Sequence, residues 1–146
     1  MIRENYFLTE VINTDLDNEK VVIKMFSESS GVYRVHKTTS FLEKYPKSKD
    51  KNIKIADKLV NYLNYLHTET QEGTLKSIEH MTIDDCQNYI NKIKGHVTHA
   101  ELNSQKRLFT KFLYFLAKNN YLRKIKKSDF SFDSKLGNNV LKIPFK

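Results

Sequence analysis

Short apolar segments separated by turn formers make up the first 36 residues. They lie at 6–12, 21–26 and 32–36, and the turn formers occupy 13–18 and 27–31. The middle segment is rich in β-branched residues and is too short for a buried helix. We therefore predict a small antiparallel meander of two or three strands. So small a sheet is unstable alone in water, so it should pack on the residues that follow.

From Thr38 onward the apolar residues recur at helical spacing. Residues 38–45 predict a short helix that ends before Pro46, and 46–52 predict a polar, basic connector. Residues 53–69 predict a longer second helix, which the polar residues and glycine at 71–73 should end. Its apolar stripe consists of Ile55, Ala56, Leu59, Tyr62, Leu63 and Leu66, and its polar side of Lys54, Lys58, Asn61, Asn64, Tyr65 and Thr68.

The third and fourth helices begin with the same capping pattern. Thr82 and Thr98 each precede a helix, and Asp85 and Glu101 follow three residues later, where they can complete a capping box. The third helix should end at Gly95 and the fourth at 119–120, where two asparagines favour a left-handed exit. The fourth helix has the strongest pattern, with apolar residues at Leu102, Leu108, Phe109, Phe112, Leu113, Phe115 and Leu116.

These elements predict a mainly α fold, a bundle of about four helices with a small N-terminal antiparallel β meander. We assign 1–37 to the meander and 38–127 to the helical domain. Residues 128–146 have no clear period, so we interpret them as a linker toward a further C-terminal domain.

Positive charge is concentrated in the last third of the chain. Residues 96–146 contain 11 Lys and Arg against 3 Asp and Glu, whereas residues 1–95 contain 14 of each. The formal net charge of +8 therefore lies after residue 95. A localised surplus attracts an extended polyanion, so double-stranded DNA is the first partner to expect. Since only 4 of the 25 basic residues are Arg, AT-rich coding also accounts for part of the lysine excess.

The polar side of the fourth helix has no acidic residue after Glu101. An ordinary solvated helix is the alternative interpretation, but such a helix usually mixes both signs of charge. Lys and Arg can bind phosphates, and Asn and Arg can reach base edges. The predicted DNA-binding residues are Asn103, Arg107, Thr110, Lys111, Tyr114 and Lys118, with Lys54, Lys58 and Asn61 of the second helix and Lys124, Lys126 and Lys127 beyond the fourth.

The sequence contains no recognisable catalytic or cofactor-binding motif. His96 and His99 lack a suitably spaced third metal ligand, and Cys86 lies on an apolar stripe. A Gly-rich phosphate loop, a membrane-length apolar run and a signal-peptide pattern are also missing. The lone cysteine suits a reducing compartment. We therefore expect a cytoplasmic protein that uses no cofactor, metal or small-molecule substrate and does not contact a membrane.

The helical segments resemble the N-terminal core-binding domain of the tyrosine recombinases, also called phage integrases. The run LNSQKRLFTKFLYFLAKNNYL is similar to the family's aromatic-rich closing helix, although Arg123 and its neighbours replace the frequent Asn-Pro. In the second helix, Lys51 and Ile55 depart from the family's opening pattern. The matching positions of that helix are Ser48, Ala56, Leu59, Tyr62 and Leu66.

The resemblance implies a SAM-like helical bundle that clamps one side of duplex DNA with two helices across the major groove. In this family a separate C-terminal domain cuts DNA, and its constellation of catalytic residues is not found here. The chain would then be the non-catalytic DNA-binding part of a bacterial recombinase that integrates or excises a mobile element. The complete recombinase would cleave and rejoin DNA as one protomer of a synaptic tetramer. The alternatives are a stand-alone helical DNA-binding regulator and a helical protein-interaction module of a mobile element.

Overall fold

The computed structural model describes residues 5–13, 18–44, 47–69 and 78–146. The chain divides into two compact units, Met1–Glu69 and Thr70–Lys146. Each unit combines helices with a small antiparallel sheet, and each is described by itself.

The described residues of the first unit form a three-stranded antiparallel sheet followed by two helices. Its elements are β1 (Phe7–Asn13), β2 (Glu19–Ser27), β3 (Val32–Val35), α1 (Thr39–Lys44) and α2 (Lys49–Glu69). The strands are ordered β1-β2-β3, with Phe7 opposite Met25 and Lys24 opposite Val35. The predicted meander and the predicted short helix are confirmed.

The central strand β2 contributes much of the first unit's core. Val22 and Ile23 are almost completely buried, and both α1 and α2 contact β2. The Oγ1 atom of Thr39 accepts a hydrogen bond from the Ile23 amide at 2.9 Å and donates one to the Ile23 carbonyl at 3.1 Å. The Ile23 carbonyl also accepts from the His36 amide at 2.7 Å. The Thr39 hydroxyl therefore gives the Ile23 amide a partner and the Ile23 carbonyl a second one, at the point where the β2–β3 ladder begins.

The polar side of α2 is partly used for packing within the first unit. Asn64 was predicted to face solvent, yet its side chain is half-buried against β1. Its Oδ1 accepts from the Phe7 amide at 2.7 Å, and its Nδ2 donates to the Phe7 carbonyl at 2.9 Å. The amide side chain thus satisfies backbone groups on an edge strand of the sheet.

The second helix begins earlier than the apolar pattern predicts. It starts at Lys49 because Ser48 precedes it as a capping residue, with its Oγ 3.4 Å from the Lys51 amide. The exposed lysines that follow are good helix formers, so they extend the helix without adding to its apolar stripe. The predicted turn at 14–17, the predicted break at Pro46 and the predicted stop at 71–73 lie outside the described residues.

Two histidines of the first unit are held in apolar surroundings. The Nδ1 atom of His36 lies 3.3 Å from the Thr38 amide, which donates to it, and 2.9 Å from the Thr38 hydroxyl. Burial, and secondarily the charge of Lys37, lowers the pKa of His36 to about 4. His67 stacks on Tyr6 with ring centroids 3.8 Å apart, and burial lowers its pKa as well.

Residues 78–146, the described part of the second unit, form two helices followed by a β-hairpin. Its elements are α3 (Ile83–Ile93), α4 (His99–Lys118), β4 (Phe130–Asp133) and β5 (Asn138–Leu141), with 3-10 turns at Ile78–His80 and Lys127–Asp129. Thr82 and Asp85 form the predicted capping box of α3, and Thr98 caps α4. Asn120 adopts a φ of 61°, which confirms the left-handed exit from α4.

Helices α3 and α4 pack through buried aromatic and aliphatic side chains. Tyr89 of α3 meets Phe109 of α4 edge to face, with ring centroids 5.7 Å apart. Cys86 and Ile90 are fully buried on the same side of α3, which agrees with the position of Cys86 on an apolar stripe in the sequence. Burial raises the pKa of the Tyr89 hydroxyl, with a smaller contribution from Cys86.

The prediction of a mainly α, SAM-like bundle with a single N-terminal meander is wrong. Over the described residues the fold is mixed, with 50% helix, 22% strand and two antiparallel sheets. The second sheet is the β4–β5 hairpin, which lies within the segment interpreted as a linker. Strands of four residues are too short to show a period, so the apolar pattern alone does not reveal them.

Candidate nucleic-acid interface

Helix α4 contains most of the predicted DNA-binding residues. The Thr98 cap fixes where the helix begins, and its 20 residues span about 30 Å. One side is buried and Leu108 is half-buried at its margin, so the exposed positions Arg107, Lys111 and Lys118 fall on the opposite side. The buried apolar residues are Leu102, Phe109, Phe112, Leu113, Phe115, Leu116 and Ala117.

Three exposed cations form what we name the basic face of α4: Arg107, Lys111 and Lys118. They are separated by four and seven residues, so they lie on one side of the helix. At a rise of about 1.5 Å per residue, they span about 16 Å along the axis. That length can place cations opposite more than one phosphate of a nucleic-acid strand.

In the part of the chain that the structure describes, the cations of the basic face form no ion pair with a carboxylate. Among residues that the structure describes, no carboxylate lies within 4.0 Å of the charged atoms of Arg107, Lys111 or Lys118. Cations of the first unit are arranged differently, since several of them form ion pairs within the chain. These pairs are Lys20 with Glu43, Lys24 with Glu10, and Lys49 with Glu19.

The other three predicted residues of α4 are half-buried and make contacts within the second unit. The Nδ2 atom of Asn103 lies 3.2 Å from Nε2 of His99, and the Thr110 hydroxyl donates to the Lys106 carbonyl at 2.8 Å. The Tyr114 ring meets Phe130 of the hairpin edge to face, with centroids 5.2 Å apart. These side chains are therefore less available to an external ligand than the basic face.

A groove of about 380 Å³ lies between α4 and the hairpin. Lys106, Arg107 and Lys111 line one wall, and strand β5 lines the other. The Leu136, Pro144 and Phe145 side chains provide apolar surface, and Asn138, Asn139 and Asp133 add polar groups. The groove thus opens beside two members of the basic face.

Two buried apolar residues hold the basic segment after α4 against the second unit. Leu122 and Ile125 are buried, so the chain cannot lift freely away from the second unit. The Arg123 amide donates to the Glu79 carbonyl at 2.8 Å, and Arg123 Nε lies 3.3 Å from Glu79 Oε2. The three predicted residues of this segment are exposed: Lys124, Lys126 and Lys127.

The predicted contribution of α2 belongs to the first unit. Lys54 and Asn61 are exposed, whereas Lys58 is half-buried and has an interaction partner within the chain. The nine other predicted residues belong to the second unit. Simultaneous contact of α2 and α4 with one duplex stays a prediction.

The charge asymmetry coincides with the division into units. Residues 70–146 contain 14 Lys and Arg against 7 Asp and Glu, while residues 1–69 contain 11 against 10. The formal net charge is therefore +7 for the second unit and +1 for the first. An attractive field for a polyanion belongs mainly to the second unit.

Other kinds of site find little support in the part of the chain that the structure describes. No group of three His, Cys, Asp or Glu side chains there could hold a metal ion. The Cys86 thiol is buried, and the imidazole of His99 contacts Asn103. No helix among the described residues is both long and apolar enough to cross a membrane.

Pattern analysis of the sequence missed Lys106 and the hairpin side of the groove. Lys106 is half-buried at the edge of the apolar stripe, so a helical projection does not assign it to the polar face. The hairpin has one readable signal, an Asp-Ser-Lys-Leu-Gly turn between two short runs that contain Phe and Val. Oδ1 of Asp133 accepts from the amides of Lys135 and Leu136 there.

In comparisons with known proteins, no family model, curated protein or solved structure matches this chain significantly.

Proposed function

We propose that this protein binds double-stranded DNA through the basic face of α4 and the adjoining lysines of the segment 124–127. The observation that most supports the proposal is the exposure of Arg107, Lys111 and Lys118 without a carboxylate partner in the described residues. Exposed cations that lack internal partners gain free energy by displacing condensed counterions from phosphates. The net charge of +7 on the second unit acts in the same direction.

The more specific proposal is that the chain is the DNA-binding part of an integrase-like recombinase in the bacterial cytoplasm. It rests on the residue patterns of α2 and α4, and no longer on the helical bundle that those patterns implied. In this role the chain holds the duplex while a catalytic domain elsewhere in the recombinase cuts and rejoins it. Other protomers of the synaptic tetramer and DNA would be its partners.

A protein-interaction module is the second candidate function. Three large apolar side chains favour it because they are exposed on the hairpin and the residues after it. Phe132 is 64% exposed, Leu136 is 62% exposed and Ile143 is 80% exposed. Apolar surface of this kind commonly marks a protein contact, although single exposed apolar residues are ordinary.

Duplex titration of the double variant Arg107→Ala/Lys111→Ala tests the DNA-binding proposal. Affinity is measured by fluorescence anisotropy at about 50 mM and about 200 mM salt. Each lost phosphate contact should lower the slope of log affinity against log salt by about 0.9, hence by about 1.8 for both. The double variant should also bind more weakly to every duplex.

The matched control is Lys20→Ala/Lys49→Ala, which removes the same charge from ion-paired lysines of the first unit. It should keep the wild-type slope. If the α4 variant retains the affinity and slope of the wild type, α4 is not the DNA-binding face. If the control variant loses as much affinity and as much salt slope as the α4 variant, binding depends on net charge alone.

A further inference from the structure

The groove between α4 and the hairpin combines three kinds of chemistry in one place. Lys106, Arg107 and Lys111 provide positive charge, Asn139 provides an amide, and Phe145 provides an aromatic ring. The carboxylate of Asp133 also lines the groove, but three cations outnumber it and its Oδ1 already accepts from two turn amides. An amide side chain can both donate and accept hydrogen bonds, as a base edge requires. An aromatic ring offers a surface on which any base can stack.

We propose that this groove holds one unpaired nucleotide of a bound DNA molecule, with its phosphate beside the α4 cations and its base beside Phe145. The proposal rests on the proposed function, because Arg107 belongs both to the groove and to the basic face. A duplex bound along that face would bring a strand to the mouth of the groove. A nucleotide displaced from its stack would then face the side chains that line the groove.

The size of the groove favours a nucleotide over a peptide helix. Its volume of about 380 Å³ is near the lower end of the range for small-molecule sites. A docked helix is about 10–12 Å wide and needs apolar anchors along two or more turns. The groove instead has cations along one wall, and an acidic apolar peptide is therefore the competing occupant to test.

The experiment compares two labelled duplexes that differ by a single unpaired adenine in one strand. The wild-type chain should bind the bulged duplex at least about 5-fold more tightly than the paired duplex, since stacking one base on an aromatic ring has an effect of this size. Phe145→Leu removes the ring but keeps an apolar side chain. It should reduce the affinity ratio to about 1 while the paired duplex binds as before.

Two controls separate the groove from its surroundings. Phe132→Leu makes the same change at an exposed ring outside the groove and should keep the preference for the bulge. Lys118→Ala should weaken both duplexes equally and leave their ratio unchanged. Lys106→Ala should reduce the ratio, because Lys106 lines the groove but is not part of the basic face.

The possible failures are distinguishable. Equal affinity of the wild type for both duplexes overturns the groove proposal and leaves the proposed function standing. Absence of binding to either duplex at about 50 mM salt overturns both. A third arm uses a peptide of alternating glutamate and leucine. If it displaces the paired duplex in a Phe145-dependent manner and the bulge gives no advantage, the groove is a protein site and our proposal is wrong.

Discussion

Individual side chains in this protein bond both backbone groups of one distant residue. Asn64 does so with Phe7, and the Gln87 amide pairs with the backbone N–H and carbonyl of Lys146 at 2.8 and 3.3 Å. A helical projection identifies such residues as polar and outward, since it describes one helix by itself. It cannot show which strand or chain segment packs beside that helix, because this depends on contacts between residues far apart in sequence.

The Asn64 contact predicts a specific loss of stability. Asn64→Ala leaves the amide and the carbonyl of Phe7 without this partner, and should lower the free energy of unfolding by about 1–3 kcal/mol. Asn61→Ala is the control, because Asn61 is exposed one turn earlier on the same helix and should change stability by less than about 0.5 kcal/mol. Urea unfolding measures both. Equal midpoints for the two variants would show that the Asn64 bonds contribute nothing.

The half-buried His36 and the buried His67 predict that stability falls on acidification. The pKa of both histidines is lower in the folded chain than the unfolded value of 6.5, and that of His36 falls to about 4. Between the folded and the unfolded pKa, the unfolded chain therefore binds more protons than the folded chain. Stability is complete above the unfolded pKa and is lost as the pH falls toward the folded pKa. Between pH 7 and pH 5, His36 alone should account for a loss of about 2 kcal/mol.

Urea unfolding at several pH values checks the dependence, with His36→Gln as the variant. Protonation of Nδ1 removes the acceptor of the Thr38 amide, and glutamine retains a polar side chain that does not titrate in this range. The variant should therefore show a shallower decrease in stability between pH 7 and pH 5. An unchanged decrease would assign the effect to other groups.

At the scale of elements, the sequence predicted the features that depend on neighbouring residues. It did not predict the features that depend on contacts between residues far apart in the chain. The caps at Thr82 and Thr98 and the exit at Asn120 follow from residues within a few positions of each other. The hairpin depends on four-residue strands and on packing against α4, as Tyr114 and Phe130 illustrate. The same packing explains why the predicted polar face of α4 is only partly exposed.

Substitution by alanine should change stability differently at Gly137 of the hairpin turn and at Gly95 after α3. Gly137 has a φ of 70° with no atom near the position of an added Cβ, so Gly137→Ala introduces backbone strain alone. The free energy of unfolding should fall by about 1 kcal/mol. Gly95 also has open space and has no positive φ, so Gly95→Ala should be neutral or slightly stabilising. Thermal unfolding of both variants tests this, and equal losses would contradict it.

For the whole molecule, the amino-acid composition predicted the distribution of charge correctly, whereas the hydrophobic periodicity did not predict the fold class. The positive surplus proposed from the sequence lies in the second unit, since charge depends only on residue identity. The mainly α prediction failed because a short strand and a linker have similar local patterns. The candidate site was therefore predictable as a set of cations on α4, but its groove was not.

The chain should bind DNA without altering its covalent structure. Incubation with supercoiled plasmid should leave the plasmid supercoiled, and denaturing electrophoresis should reveal no covalent protein–DNA adduct. The expectation follows from the proposed role, in which a separate catalytic domain of the recombinase cuts and rejoins the DNA that this chain holds. Relaxed plasmid or a stable adduct would show that the chain is itself catalytic.

Because Cys86 is buried, the reactivity of its thiol reports on transient opening of the second unit. It is the one thiol in the sequence, it is fully buried on α3, and α3 packs against α4. A thiol-specific reagent can therefore react only when the second unit opens, so the labelling rate measures the opening equilibrium. A ligand that binds only the closed form reduces that rate in proportion to its occupancy. The rate of Cys86 modification thus follows DNA binding at α4 without a label attached beforehand to the protein or the DNA.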